Sequence, residues 1–591
     1  MKRFFNFIYN VQRVLLVGIF WGIVIGLAIM LAKQLRHPTL TGPALLQIRL
    51  DGEVVETRDD TQQSMLMQFL GMGDVQSNAI LLRDIQDALK LAAQDDRIQG
   101  VLLNLQGLNK VGLSTADEIG KAIDGYRARS KKSVWVWAPT YSQSQYAIAA
   151  HADHVSLHPM GEVDLKGLSS TALYWGKTIK SLGIGVDVHK AGAYKSAPEV
   201  FVAEEPSAAT LEAQKSFMNA AWQTFSQRIE ETRGLKPGAV NELLGSLPST
   251  VDEHKTVADV FKSARFIDAL DTMEAFWQKL VKQYSPSKKE EDLMFVTLDD
   301  YLSLFEPVTT LTADGVMVLS AEGEISSESN GGINPSLIGE RLEAIRKDPH
   351  VKALVLRLNT PGGEALASEQ IRNDLMTVAE KMPVIISMGD VVASGGYWIA
   401  SAGQKIVANP NTITGSIGVF ALSFNASGLM ERYGVGRGGY KTSALADKGR
   451  VWMAPNPEVR QMIDAGVNNT YWRFKSLVSE SRHMTMDAVE AVAQGRVWMG
   501  SQAVQIGLVD KLGGLSEAII LAKLQAKLPE DAQVLYDDVS EHDWRSRLRK
   551  AFGRFWSQSA LAELVPLGSP WSEESFVTGR PLVWAPIESS F

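Results

Sequence analysis

One constant offset runs through this chain. Tyr146 and Tyr397, Pro159 and Pro410, and Gly167 and Gly418 are each separated by 251 residues. Distinctive residues repeating at a single spacing point to a duplicated unit, so any fold for the chain is built twice. The flanking segments agree. Leu45-Leu-Gln-Ile-Arg-Leu-Asp-Gly52 and Val316-Met-Val-Leu-Ser-Ala-Glu-Gly323 open the two copies, and Asp95-Asp-Arg-Ile-Gln-Gly-Val-Leu-Leu-Asn-Leu105 matches Asp348-Pro-His-Val-Lys-Ala-Leu-Val-Leu-Arg-Leu358. Each opening is followed by an amphipathic helix pattern and a buried strand, an alternation that predicts two α/β units with largely parallel sheets. We place them at 44–312 and 313–540. A length of 591 residues with 45% apolar and 21% charged side chains is ample for two such cores.

The two ends differ from this pattern. Residues 14–32 form an uninterrupted apolar run of 19, about enough to cross a hydrocarbon core of roughly 30 Å as a helix. Lys33-Gln-Leu-Arg36 follows in place of a small-x-small cleavage site, which favours an uncleaved anchor over a signal peptide. Lys2, Arg3 and Arg13 put residues 1–13 on the cytoplasmic side and the body outside. At the other end, 541–591 carries Trp544-Arg-Ser-Arg-Leu-Arg-Lys-Ala-Phe-Gly-Arg-Phe-Trp556, a basic amphipathic helix pattern that suits a membrane surface, a neighbour or plain solvent. A net charge of −8 argues against a nucleic-acid surface over the whole chain, and the absence of cysteine removes thiol nucleophiles and thiolate zinc sites.

Duplication lets one half serve as a control for the other. In Asp390-Val-Val-Ala-Ser394-Gly-Gly-Tyr-Trp398 a serine stands between the apolar run Val384-Ile-Ile-Ser-Met388 and a helical pattern. Two glycines leave its backbone open to a closely approaching acyl group. The first half has Ser142-Gln143-Ser144-Gln145-Tyr146 there, so the serine position has become Gln143 and both glycines are gone. Likewise Asn359-Thr-Pro-Gly362-Gly363-Glu faces Gln106-Gly-Leu-Asn-Lys. Packing alone gives both halves the same reason to keep these turns. Their loss in one half marks Ser394 as a nucleophile of a single specialised site.

A serine nucleophile needs a base. None of the nine histidines lies in a distinctive motif of the second half. His151, His154 and His158 straddle a helix-to-strand change, so they do not share a metal-binding face, and we assign no metal. A Ser-His-Asp triad assembled in space stays open. Lys195 sits in Val186-Asp-Val-His-Lys-Ala-Gly-Ala-Tyr-Lys195-Ser-Ala, an apolar strand running into a tight turn. Burial lowers a lysine pKa by units, enough to make a neutral base; a packed stem with a solvated amine is the competing reading. Lys441, in Gly439-Tyr-Lys441-Thr-Ser, is its counterpart 246 residues on and the second choice.

Four segments taken in order, Asn359-Thr-Pro-Gly-Gly363, Met388-Gly-Asp-Val-Val-Ala-Ser-Gly-Gly-Tyr-Trp398, Ala408-Asn-Pro-Asn-Thr-Ile-Thr-Gly-Ser-Ile-Gly418 and Gly495-Arg-Val-Trp-Met-Gly500 leading to Gly507-Leu-Val-Asp510, resemble the long form of signal peptide peptidase A, or protease IV, of Gram-negative bacteria. The resemblance runs from the anchor to about residue 540. It implies two tandem ClpP/crotonase-like repeats behind one transmembrane helix, forming a homo-oligomer, a tetramer in the family. The implied activity is that of a serine endopeptidase of the inner membrane, with its body in the periplasm, cleaving apolar peptides such as signal-peptide remnants without a cofactor. Ser394 and Lys195 then form a Ser-Lys dyad across the two halves. Ser416 orients the lysine, and the amides of Gly395 with Gly362 or Gly363 bind the oxyanion. Thr360 departs from the family's usual serine, and Asp390 from a small residue. Asp390 and Glu364 are expected to point away from the cleft, because facing it they would hold the lysine charged. An acyl-CoA enzyme of the crotonase type and a catalytically silent membrane scaffold remain the alternatives.

Overall fold

The structure, a computed structural model, describes residues 40, 42–57, 79–252, 254–285, 287, 289, 292–305, 309–328, 332–537 and 582–584. The anchor expected at 14–32 lies outside these, as does the basic helix of the tail. Among the described residues no helix is long and apolar enough to cross a membrane.

The chain is an α/β protein with two large sheets. The first unit supplies β1 (Ala44–Arg49), β2 (Ile98–Asn104), β3 (Val134–Ala138) and β4 (His154–Leu157), then β5 (Gly185–Ala191), which leaves the sheet, then β6 (Ala269–Leu270) and β7 (Phe295–Thr297). Six of these form one parallel sheet in the order β7-β1-β2-β3-β4-β6. The second unit begins with β8 (Gly315–Glu322), β9 (Val351–Thr360), β10 (Gly362–Glu364), β11 (Val384–Ala393) and β12 (Lys405–Ala408). It continues with β13 (Ile413–Gly415), β14 (Val419–Asn425), β15 (Val497–Met499), β16 (Lys511–Leu512) and β17 (Val534–Tyr536). The order β17-β8-β9-β11-β12-β16, again parallel throughout, reproduces the first sheet strand for strand. Beyond β12, the upper part of β11 pairs with β13, which carries antiparallel β15.

Strands such as β9, with Ala-Leu-Val-Leu at 353–356 buried throughout, are apolar on both faces because helices cover both sides of a parallel sheet. Arg357, on that same strand and fully buried, breaks the pattern. Its guanidinium donates to Glu56 and, at 2.8 Å, to Glu118, both on the first unit. One helix of the first unit, Leu113–Ser130, is held by the second unit throughout its first turns. Its N-cap residue is Gly112, and the missing cap is supplied in trans by Asp390, which accepts from Thr115 N–H at 2.9 Å and from the Thr115 hydroxyl at 2.5 Å. A Cβ on Gly112 would stand 2.1 Å from that carboxylate. Asn409 donates to Asp117 at 2.7 Å on the next turn.

The second join is β5. It pairs antiparallel with β14 over seven residues, from Gly185 opposite Asn425 to Ala191 opposite Val419. A strand of the first unit is thereby carried across the second, and its end arrives where β11 ends.

Candidate active site

Ser394 closes β11 at φ 58° and ψ −117°, a conformation that a residue with a Cβ enters only when its surroundings impose it. They do so here. Its N–H donates to the Gly415 carbonyl at 2.9 Å, and its own carbonyl accepts from Trp398 N–H at 2.9 Å as the helix Gly395–Ala400 begins. The apolar strand predicted before the serine and the buried helix predicted after it are both present, and the side chain is fully buried.

The glycines around it are required by close approach. A Cβ on Gly395 would lie 2.6 Å from Ser368 Oγ and 3.2 Å from the Gly363 nitrogen; one on Gly363, at φ 155°, would lie 2.0 Å from the Ile325 carbonyl oxygen. The Gly363 nitrogen thus lies close against Gly395. Gly362 is different, since its N–H donates to Thr360 Oγ1 at 3.1 Å and is engaged within the turn. Alongside, residues Leu582–Trp584 form β18, antiparallel to β10 with Gly363 opposite Val583. The backbone edge beside the serine is therefore one that accepts an extended chain.

Lys195 reaches the serine from the other unit. Past β5 the chain turns at Gly192 (φ 113°), and the lysine side chain, 1% exposed, enters between β11 and the 415–418 segment. Its Nζ donates to Ser394 Oγ at 2.7 Å, to Ser416 Oγ at 3.0 Å and to the Ser416 carbonyl at 3.2 Å. Burial alone pulls its pKa from 10.5 down to about 7. Lys441 is remote from this cluster: it is exposed and pairs with Asp447. Asp390 is turned to Thr115 as described, its carboxyl held above the usual range by burial. Glu364 accepts from Ser327 at 2.7 Å. Both carboxylates are thus bonded to partners other than Lys195.

The corresponding place in the first unit is filled. Gln143 is buried there and its side-chain oxygen accepts from the Lys166 and Gly167 amides at 3.2 and 3.1 Å. The three histidines do not converge: His151 meets Asp124, His154 stacks on Trp135 and His158 accepts from Met160 N–H. The inter-unit role of Arg357 was missed from sequence. Its signal was a lone charge inside Leu356-Arg-Leu358, a placement that demands buried partners.

Comparison with known proteins gives the following. The model of peptidase family S49 matches residues 127–246 and 377–529. Protease 4 of Salmonella typhi is 35% identical over 471 residues, covering 78% of this chain and 75% of its own length. Protease 4 of Haemophilus influenzae is 30% identical over 523 residues, covering 84% and 82%. The chloroplastic serine protease SPPA of Arabidopsis thaliana is 28% identical over 477 residues, covering 78% and 68%. Among solved structures, ClpP1 from Listeria monocytogenes overlaps 34% of this chain and 94% of its own at 15% identity, with a TM-score of 0.23.

Proposed function

The chain belongs to peptidase family S49, among the long-form protease 4 (SppA) enzymes, and is a serine protease; from that premise we propose that Ser394 and Lys195 are its catalytic pair and that it cleaves extended, apolar peptides such as signal-peptide remnants. The observation that carries the assignment is the 2.7 Å bond between a fully buried lysine amine and the serine hydroxyl. Lowered by burial, the amine of Lys195 is mostly neutral above about pH 7. As a neutral amine it takes the Ser394 proton while Oγ attacks the scissile carbonyl carbon. The carbonyl oxygen becomes an oxyanion facing the Gly395 and Gly363 amides, with the Gly362 amide free to join only by releasing Thr360. Each such donor is worth about 3–4 kcal/mol in the transition state. The ammonium of Lys195 then protonates the leaving amine, the C–N bond breaks, and an acyl-serine remains. Water attacks that ester with Lys195 again as base, restoring Ser394. Ser416 keeps the amine aimed through its hydroxyl and carbonyl.

The substrate mode rests on β10, whose edge takes a strand in antiparallel pairing. An anchor at 14–32 would hold the body at the periplasmic face of the inner membrane, where apolar peptides are released, and assembly as a homo-oligomer, a tetramer, belongs to the same proposal. The test is turnover of an apolar peptide by folded Ser394→Ala and Lys195→Ala proteins. Both are expected to lose activity by at least about 10³-fold. Full activity in Lys195→Ala together with loss in Lys441→Ala overturns the pairing.

A further inference from the structure

The Gly495-Arg-Val-Trp-Met-Gly500 motif stands out in the sequence, yet it has no part in the chemistry above. In the structure it meets the turn that carries Lys195. Tyr194 N–H donates to the Gln494 carbonyl at 2.8 Å, Gly495 N–H to the Ile417 carbonyl at 2.7 Å, and Ser416 N–H to the Arg496 carbonyl at 2.8 Å. Three backbones therefore cross at one point: 191–195 from the first unit, and 416–418 and 494–496 from the second.

Each backbone brings a glycine to the crossing. A Cβ on Gly192 would lie 2.5 Å from the Gln494 carbonyl carbon, one on Gly418 would lie 2.8 Å from Gly495 Cα, and one on Gly495 would lie 2.7 Å from both the nitrogen and the Cβ of Lys195. Such crowding is not what a positive φ by itself requires. Gly507 has φ 80°, matching the 79° of Gly495, and a Cβ there would meet nothing within 4 Å. Next to the crossing, the Arg496 guanidinium lies between the Tyr194 ring at 5.0 Å and the Trp498 ring at 4.7 Å, and reaches Glu212 at 3.1 Å.

Resting on Lys195 as the base, we propose that Gly495 is a positioning residue: its missing side chain lets the Lys195 backbone lie directly on the second unit, which sets the reach of the amine to Ser394, while Arg496 clamps Tyr194 beside it. A side chain at 495 presses on the lysine backbone and its first side-chain carbon, not on a flexible tip. The displacement is therefore passed on to an amine whose bonds to two hydroxyls are 2.7 and 3.0 Å long. Withdrawn from its dry niche, the amine is rehydrated and more basic. The charged groups on the surrounding elements are engaged elsewhere: Lys190 with Glu199 at 3.3 Å, Arg496 with Glu212, and Asp390 with Thr115. Burial is the one cause of the lysine's lowered pKa, so position governs it.

The experiment is the pH profile of kcat/KM on an apolar peptide for the full chain and for Gly495→Ala, Gly495→Asn, Arg496→Lys and Gly507→Ala. Cooperative thermal unfolding establishes which variants are folded. Asparagine tolerates positive φ but carries a Cβ, so it separates crowding from backbone strain. In the Gly495 variants the acid limb should move up by about one pH unit, giving about a five-fold loss at pH 7, approaching ten-fold by about pH 6, that recovers by about pH 9. Arg496→Lys should shift it in the same direction by less, and Gly507→Ala should leave it in place. An unmoved limb in the folded Gly495 and Arg496 variants, whether or not the rate falls evenly at all pH values, overturns the proposal. A limb that persists in Lys195→Ala instead overturns the choice of base, and the two failures are told apart.

Discussion

In the proposed mechanism the chemistry at Ser394 depends on one amine being uncharged. Among the described residues no carboxylate bonds to Lys195, and burial brings its pKa to about 7, so the proton-accepting form grows as pH rises through that value. Ser416 shares the amine through its hydroxyl at 3.0 Å. Ser416→Ala is expected to lower kcat/KM about ten-fold with KM nearly unchanged, the size of one lost hydrogen bond in a buried site; an unchanged kcat would remove the orienting role. Ser394 was legible in the sequence because its own duplicate had lost the motif. Lys195 was legible as a candidate, since an apolar strand running into Gly-Ala-Tyr-Lys is a poor place for a solvated lysine. The engaged state of the Gly362 amide was not legible, because it depends on a hydroxyl at Thr360 choosing a partner two residues away within the turn.

At the scale of elements, each crossing between the units uses backbone left bare in one and a side chain or strand offered by the other. The helix Leu113–Ser130 starts at a glycine and takes its cap from Asp390. Replacing Asp390 by alanine should cost about 1 kcal/mol in chemical denaturation, as for loss of an ordinary helix cap. The acid limb of the pH profile should not move, because the Asp390 carboxylate is bonded to Thr115. A shift of that limb would mean that the carboxylate reaches the site after all. The parallel character of the sheets was within reach of sequence patterning, since apolar runs such as Ala-Leu-Val-Leu announce parallel strands. The pairing of β5 with β14 was not. A strand that leaves its own sheet to lie antiparallel on the other unit carries the same alternation as one that stays.

As a whole, the molecule is two copies of one parallel strand order, which in the proposed mechanism divide the work. The first copy has Gln143 at the position matching Ser394 and sends Lys195 across; the second has the serine and the glycine turns. Because one chain carries both members, a mixture of Ser394→Ala and Lys195→Ala proteins should stay inactive. Recovered turnover would show a neighbouring copy supplying the lysine. The 251-residue offset made the duplication plain, while the proposed division of labour rests in the sequence on what one half lacks. The most direct test of a lysine from one unit activating the serine of the other is the rate at which a lipophilic fluorophosphonate labels Ser394 as a function of pH, with and without Lys195. A single rise centred near pH 7 is expected in the natural chain and only slow, flat labelling in Lys195→Ala. A rise centred near pH 10, or one at pH 7 that survives the loss of Lys195, would contradict the pairing.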